Sequence, residues 1–214
     1  GINQKHKKKI VITGNILREK ILNFIKINEK SNTDTAISIL VLGGSQAAEI
    51  FAKILPSIFI QCKKSNMKIK IFQQCLPHQI NQLKNTYDKS KIDYELFSFT
   101  FNILKYYKST NLVITRAGSS ALAELLNCNI PIITVPLESS AENHQYKNAQ
   151  YFNKKGYGIM IEEKNLRNKL FDLLHSIHED KSVINSIKQN QDKHTDKNVF
   201  DIINKKIINL FYES

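Results

Sequence analysis

Two short segments combine the backbone and side chains best suited to hold an anion. Gly43-Gly44-Ser45 follows a β-branched apolar run and precedes a helical pattern, and Gly118-Ser119-Ser120 repeats that arrangement. Glycine at such a junction either adopts positive φ or lets a ligand approach the backbone. The amides opening the next helix point at the anion with the positive end of the helix dipole behind them, and Ser45 adds a hydroxyl. Each terminus contributes on the order of 0.3–1 kcal/mol, up to ~2 when partly buried, so two together could hold a diphosphate without a metal. Glu124 falls about one turn into the second helix, on the face of Ser120. There its two oxygens could accept both hydroxyls of a ribose, or simply face solvent. Asn143-His144-Gln145 and Asn148 crowd amide and imidazole groups at another helix start, which suits sugar hydroxyls and equally suits capping. Neither G-x-x-x-x-G-K-[ST] nor G-x-G-x-x-G occurs, which disfavours a P-loop nucleotidase and leaves no dinucleotide fingerprint. The residues point to a binder of a nucleoside diphosphate, bare or sugar-bearing, with no metal and no cofactor. They do not specify a reaction.

Alternating elements must position these groups. Short apolar runs at 36–42, 69–73, 93–97, 112–115, 130–135 and 157–161 predict six strands. Helical patterns at 46–62, 78–87, 102–108, 120–126 and 142–155 separate them, and three more follow at 165–175, 181–189 and 198–211. Strand, loop and helix alternating six times predicts an α/β fold: a doubly wound, mostly parallel six-stranded sheet with helices on both faces. In such a fold ligands bind at the carboxyl ends of the strands, where both glycine segments fall. Gly156, after Lys154 and Lys155, reads instead as a helix-cap glycine.

Composition narrows the alternatives. The 214 residues are 42% hydrophobic and 23% charged, which suits a globular core and excludes a disordered chain. No apolar run approaches the roughly 20 residues of a membrane-spanning helix. A net charge of +12 would suggest nucleic acid, yet only Arg18, Arg116 and Arg167 among 31 cations are arginine. Readers of phosphates and bases prefer the arginine fork, so the lysines read as solvated surface and no nucleic-acid partner is expected. Cys62, Cys75 and Cys128 cannot all pair and form no C-x-x-C, which excludes a disulfide scaffold and a zinc ribbon and predicts a reducing, cytoplasmic compartment. His175 and His178 stand three apart without a carboxylate or cysteine in a recognised spacing, and read as surface histidines rather than ligands. The chain opens at Gly1 with no methionine, so an excised fragment is expected.

Taken together, several segments resemble one family. Thr13-Gly14-Asn15-Ile16-Leu17-Arg18, Gly43-Gly44-Ser45-Gln46, Thr115-Arg116-Ala117-Gly118-Ser119, Ala123-Glu124-Leu125, Pro136-Leu137 and His144-Gln145 with Asn148-Ala149 occur in the order of the carboxyl-terminal domain of the MurG family of peptidoglycan glycosyltransferases. The resemblance implies one Rossmann-like half of a two-domain GT-B enzyme, peripheral to the cytoplasmic face of the bacterial inner membrane. Its donor would be UDP-N-acetylglucosamine and its acceptor lipid I, undecaprenyl-diphospho-muramoyl-pentapeptide, joined β(1→4) with inversion to give lipid II. On this resemblance Arg18, Gly44, Ser45 and Gln46 lie near the donor diphosphate or nucleoside, and Thr100 contacts uracil through its backbone. Ser119, Ser120, Ala121, Leu122 and Ala123 line the donor with backbone groups. Glu124 binds the ribose hydroxyls, and His144 and Gln145 approach the sugar. The general base and acceptor loops are expected in an amino-terminal domain, so the catalytic residue is unknown here. The implied divisions are 1–17 as linker, 18–195 as donor domain, and 196–214 as a helix crossing to the other domain, though the apolar stripe of that helix equally suits packing onto its own domain. Departures are Ala47 where the family usually has glycine, Ser119 where alanine is common, and a uracil segment poor in acidic residues. Two other readings remain open: a different UDP-sugar transferase or epimerase, and a non-catalytic remnant that binds UDP-sugar.

Overall fold

Isoleucine, valine and leucine dominate the segments that become strands, and apolar residues on both faces leave such a strand no solvent side. The computed structural model describes residues 10–11, 13–24, 36–194 and 199–212, with backbone alone for 44–48 and 210–212. It aligns the strands β1 (Ile37–Leu42), β2 (Ile69–Gln74), β3 (Asp93–Phe97), β4 (Leu112–Thr115), β5 (Ile132–Thr134) and β6 (Ile159–Met160) in one sheet of order β3-β2-β1-β4-β5-β6. Every pairing is parallel. The helices are α1 (Glu19–Leu22), α2 (Gly44–Lys64), α3 (Ile80–Lys89), α4 (Ile103–Lys108), α5 (Ser119–Asn127), α6 (His144–Lys154), α7 (Leu166–Glu179), α8 (Ser182–Asp192) and α9 (Val199–Tyr212).

Alternation along β1 divides the core. Ile37, Ile39 and Val41 pack beneath α2, α3 and α7, with Phe51, Leu55, Tyr87 and Leu170 fully buried. Leu40 faces the opposite layer, where α1, α4, α5 and α6 supply Ile21, Tyr107, Leu122 and Phe152. Both faces are therefore covered by helices, as the strand–helix alternation predicts. Cys62, Cys75 and Cys128 are buried and none is in a disulfide, and desolvation pushes the Cys62 thiol up to about 11.

Several boundaries differ from the sequence expectation. The helix expected at 46–62 begins at Gly44. The helix expected at 142–155 begins at His144, because Glu142 and Asn143 both adopt left-handed conformations (φ 48° and 59°) that interrupt an α-helix. Among the described residues α1 has no counterpart in the sequence reading, being a single turn. The glycine expectation also changes. Gly43 and Gly118 take ordinary negative φ, and the left-handed glycines are Gly14 and Gly156. Gly156 follows the last residues of α6 and its N–H donates to the Asn153 carbonyl at 3.0 Å, so it is the helix-cap glycine the sequence suggests. At Gly158 the need is close approach, since a Cβ there would lie 2.6 Å from the Ile132 carbonyl oxygen.

That contact yields a stability prediction. Gly158→Ala must push β6 away from β5, and should cost about 1–3 kcal/mol in urea denaturation.

Candidate functional site

Strand order reverses between β1 and β4. The chain leaves β1 toward β2 on one side and leaves β4 toward β5 on the other, so the two departures open a crevice at the strands' carboxyl ends. Leu42 and Thr115 are paired in register, about 4.8 Å apart across the sheet, and only Gly43 separates β1 from α2. Three residues, Arg116 to Gly118, separate β4 from α5. Two helix N-termini thus open side by side into a cleft of about 490 Å³, within the usual range for a small-molecule site. Gly118 lines this cleft, and a Cβ there would meet no atom within 4 Å. Its backbone is bare toward a ligand.

Of the sequence candidates, Arg18, Thr100, Ala121, Glu124 and Gln145 line the cleft together. Gly44, Ser45 and Gln46 open α2 at its mouth, but their side chains lie outside the described residues. Ser119 and Ser120 form the exposed first turn of α5. Leu122 and Ala123 are buried in the core, and the Leu122 N–H donates to the Gly118 carbonyl at 3.1 Å. His144 does not line the cleft; its Nδ1 is 2.7 Å from the Ala141 carbonyl oxygen, next to the left-handed turn.

The loop after β4 is clamped by α6. Gln145 Oε1 accepts from the backbone N–H groups of Ala117 (3.3 Å) and Leu137 (3.1 Å), while Asn148 Nδ2 donates to the Ala117 carbonyl at 3.0 Å. Both polar atoms of the Ala117 peptide are therefore held by side chains one turn apart. The carbonyl of Gln145 is engaged, which leaves its amide nitrogen for a ligand. Arg116 holds the same region from the other layer. Its Nη1 donates to the Val135 (3.1 Å) and Pro136 (3.3 Å) carbonyls and pairs with Glu163 at 2.5 Å, and the guanidinium sits 5.2 Å from the Phe51 ring centre.

Glu124 is less free than its spacing suggests. Arg18 meets it with a two-pronged fork, Nε to Oε1 at 3.0 Å and Nη2 to Oε2 at 2.9 Å. Tyr107 is buried among the apolar residues beneath α5. Burial, and then Glu124, raise the Tyr107 pKa well above the phenol's usual value. Beyond β3, Phe99 lines the cleft next to Thr100, and Phe101 stands almost fully exposed, edge-on to Phe99 with ring centres 4.8 Å apart. The Thr100 Oγ1 accepts the Asn102 N–H at 3.0 Å and shapes this turn.

Sequence reasoning missed Asn148 as a loop clamp and Arg116 as a cleft residue. Arg116 carried a signal: it is one of three arginines in a lysine-rich chain and stands directly after a strand. A second hollow, of about 610 Å³ between α6 and the start of α7, has lysines on its wall. The cleft between β1 and β4 is the better-built site.

Known proteins resemble this arrangement. The glycosyltransferase family 28 C-terminal domain matches residues 38–205. The UDP-N-acetylglucosamine–N-acetylmuramyl-(pentapeptide) pyrophosphoryl-undecaprenol N-acetylglucosamine transferase of Pelagibacter ubique is 34% identical over 98% of this chain and 58% of its own length. Among solved structures, Acinetobacter baumannii MurG superposes with a TM-score of 0.72 at 22% identity, over 86% of this chain and 55% of that one. The Staphylococcus aureus MnaA–UDP structure gives 0.66 at 12% identity, over 98% and 56%. The chain spans about half the length of the curated relatives it matches.

The clamp generates a prediction. Gln145→Ala leaves two partly buried N–H groups without an acceptor, so stability should fall by about 1–3 kcal/mol. Hydrogen exchange at the Ala117 and Leu137 amides should quicken before exchange in the sheet does.

Proposed function

The chain belongs to the family of the glycosyltransferase family 28 C-terminal domain, and from that membership we propose that it is the donor-binding half of an N-acetylglucosaminyltransferase of peptidoglycan synthesis. The donor is UDP-N-acetylglucosamine. The acceptor is lipid I, whose carrier places the reaction at the cytoplasmic face of the inner membrane, with this half peripheral to it. The product is lipid II. The observation that carries this reading is one cleft shared by two helix N-termini, Glu124, Arg18 and Gln145, at the point where strand order reverses.

Each group has a task there. In an inverting transfer the acceptor hydroxyl displaces UDP in one step, so negative charge grows on the departing diphosphate. The N-termini of α2 and α5 meet that charge with fixed amides, and Arg18 can add a mobile cation. Glu124 accepts the ribose hydroxyls, and the Gln145 amide donates to the sugar. The Thr100 backbone borders the base, with Phe99 beside it. Because these groups compensate the diphosphate, binding needs no metal and no cofactor.

Deprotonating the acceptor is a separate requirement. Glu124 is the sole carboxylate lining the cleft among the described residues, no histidine lines it, and Glu124 is committed to ribose. The general base and the acceptor site therefore belong to another domain, with residues 1–17 as the link, 18–195 as the donor domain and 196–214 as the segment that crosses over. Residues 1–9, 12, 25–35, 195–198 and 213–214 lie outside the described residues. Along α9, Val199 is buried while Phe200, Ile207 and Ile208 are exposed on one face, an apolar stripe that supports crossing rather than packing at home.

Isothermal calorimetry on the 214-residue chain tests the reading. UDP-N-acetylglucosamine should bind equally well with and without EDTA, and Glu124→Ala should weaken it by about tenfold or more while circular dichroism stays unchanged. Equal affinity for the variant would overturn the assignment of the cleft.

A further inference from the structure

Among the described residues, the one carboxylate that lines the cleft is already engaged. Arg18 meets Glu124 with Nε on Oε1 at 3.0 Å and Nη2 on Oε2 at 2.9 Å, so its fork holds both oxygens at once. Two vicinal hydroxyls that donate to both oxygens approach along the same edge, because the fork and the diol each present two donors side by side. A ribose therefore reaches Glu124 in that manner only by displacing Arg18. The Glu124 side chain is 18% exposed under the fork, whereas that of Arg18 is 60% exposed. The guanidinium is the partner that faces water and can move.

The backbone of Arg18 is held in place. Leu17 and Ile21, on either side of it, are buried in the apolar layer beneath α5. The Ile21 N–H donates to the Arg18 carbonyl at 2.8 Å. A displaced guanidinium therefore swings on its own flexible stem and remains beside the cleft it lines, where Gly43 and Gly118 mark the starts of α2 and α5. No second carboxylate lines that cleft among the described residues. The acceptor that can take up the displaced cation is then the ligand's own diphosphate, drawn to the two helix starts.

Building on Glu124 as the ribose acceptor of the proposed function, we propose that Arg18 is a specificity-determining residue that makes this ribose contact conditional on a diphosphate. A bare nucleoside breaks the Arg18–Glu124 pair and offers the cation nothing in return. A nucleoside diphosphate breaks the same pair and supplies another, so Arg18 passes from carboxylate to phosphate. A pair this exposed is weak, equivalent to about two- to fivefold in affinity, whereas a charge-assisted contact to phosphate is worth more. One side chain thus penalises the nucleoside and favours the nucleotide.

The test is an NMR titration of the isotope-labelled 214-residue chain with uridine and with UDP, repeated on the Arg18→Gln, Glu124→Gln and double variants. Arg18→Gln should weaken UDP about tenfold and tighten uridine about two- to fivefold, so the preference for UDP over uridine falls about twenty- to fiftyfold. In the Glu124→Gln background, Arg18→Gln should no longer tighten uridine, since no ion pair is left to release. Uridine bound no tighter by Arg18→Gln than by the unaltered chain would overturn the proposal, as would UDP bound equally well by both. Tightening of uridine that persists in the double variant relative to Glu124→Gln would also overturn it, because Arg18 would then act other than through Glu124. These results leave the ribose assignment standing as long as Glu124→Gln itself weakens UDP. Should Glu124→Gln bind UDP as the unaltered chain does, the ribose assignment falls, and the role of Arg18 with it.

Discussion

The reversal of strand order between β1 and β4 is the constraint on which the rest depends. Parallel strands joined by helices must send their connections to one face or the other, and at one place in the sheet neighbouring strands send them in opposite directions. Only there do two helices begin next to each other without covering the strand ends. Anything that requires two converging rows of backbone amides can be built at that place and at no other along this sheet. The short connections matter as much as the order. One residue between β1 and α2, and three between β4 and α5, leave little slack for the helix starts to drift apart.

Held amides are useful only if their direction is fixed before a ligand arrives. The Ala117 peptide shows how this chain achieves that: α6 grips its N–H through Gln145 and its carbonyl through Asn148. Arg116 ties the same loop to the carbonyls after β5 and to Glu163 beyond β6. The ends of three strands, β4, β5 and β6, are thereby joined through side chains rather than through more backbone. Preorganisation of this kind removes the reorganisation that free amides in water would undergo while charge develops on a leaving group. It also explains two left-handed residues before α6, since Glu142 and Asn143 turn the chain so that Gln145 falls in the first turn of the helix.

Much of this architecture was legible in the amino-acid order. Short apolar runs, each followed by helical spacing, are local signals, and six of them are enough to imply a parallel sheet. The two glycine segments were found for the same reason. What local spacing could not supply was the partner of Glu124. Arg18 is 106 positions away in sequence, and its fork arises from α1 packing against α5, a contact of sheet topology rather than of pattern. Leu122 and Ala123 stand in the same stretch as the exposed Ser119 and Ser120, and their side chains turn inward once the helix begins.

The charge of the chain makes sense on the same terms. Of 31 cations only three are arginine, and two of those, Arg18 and Arg116, line the cleft, whereas among the described residues no lysine does. The two cations are used differently. Arg116 is nearly buried, and its Nη1 alone reaches the Val135 and Pro136 carbonyls and the Glu163 carboxylate, so it serves as a brace. Arg18 is mostly exposed and meets the Glu124 carboxylate with a fork of two donors, which a lysine ammonium cannot reproduce. The lysines are left to the surface, and two of the three arginines are placed at the cleft.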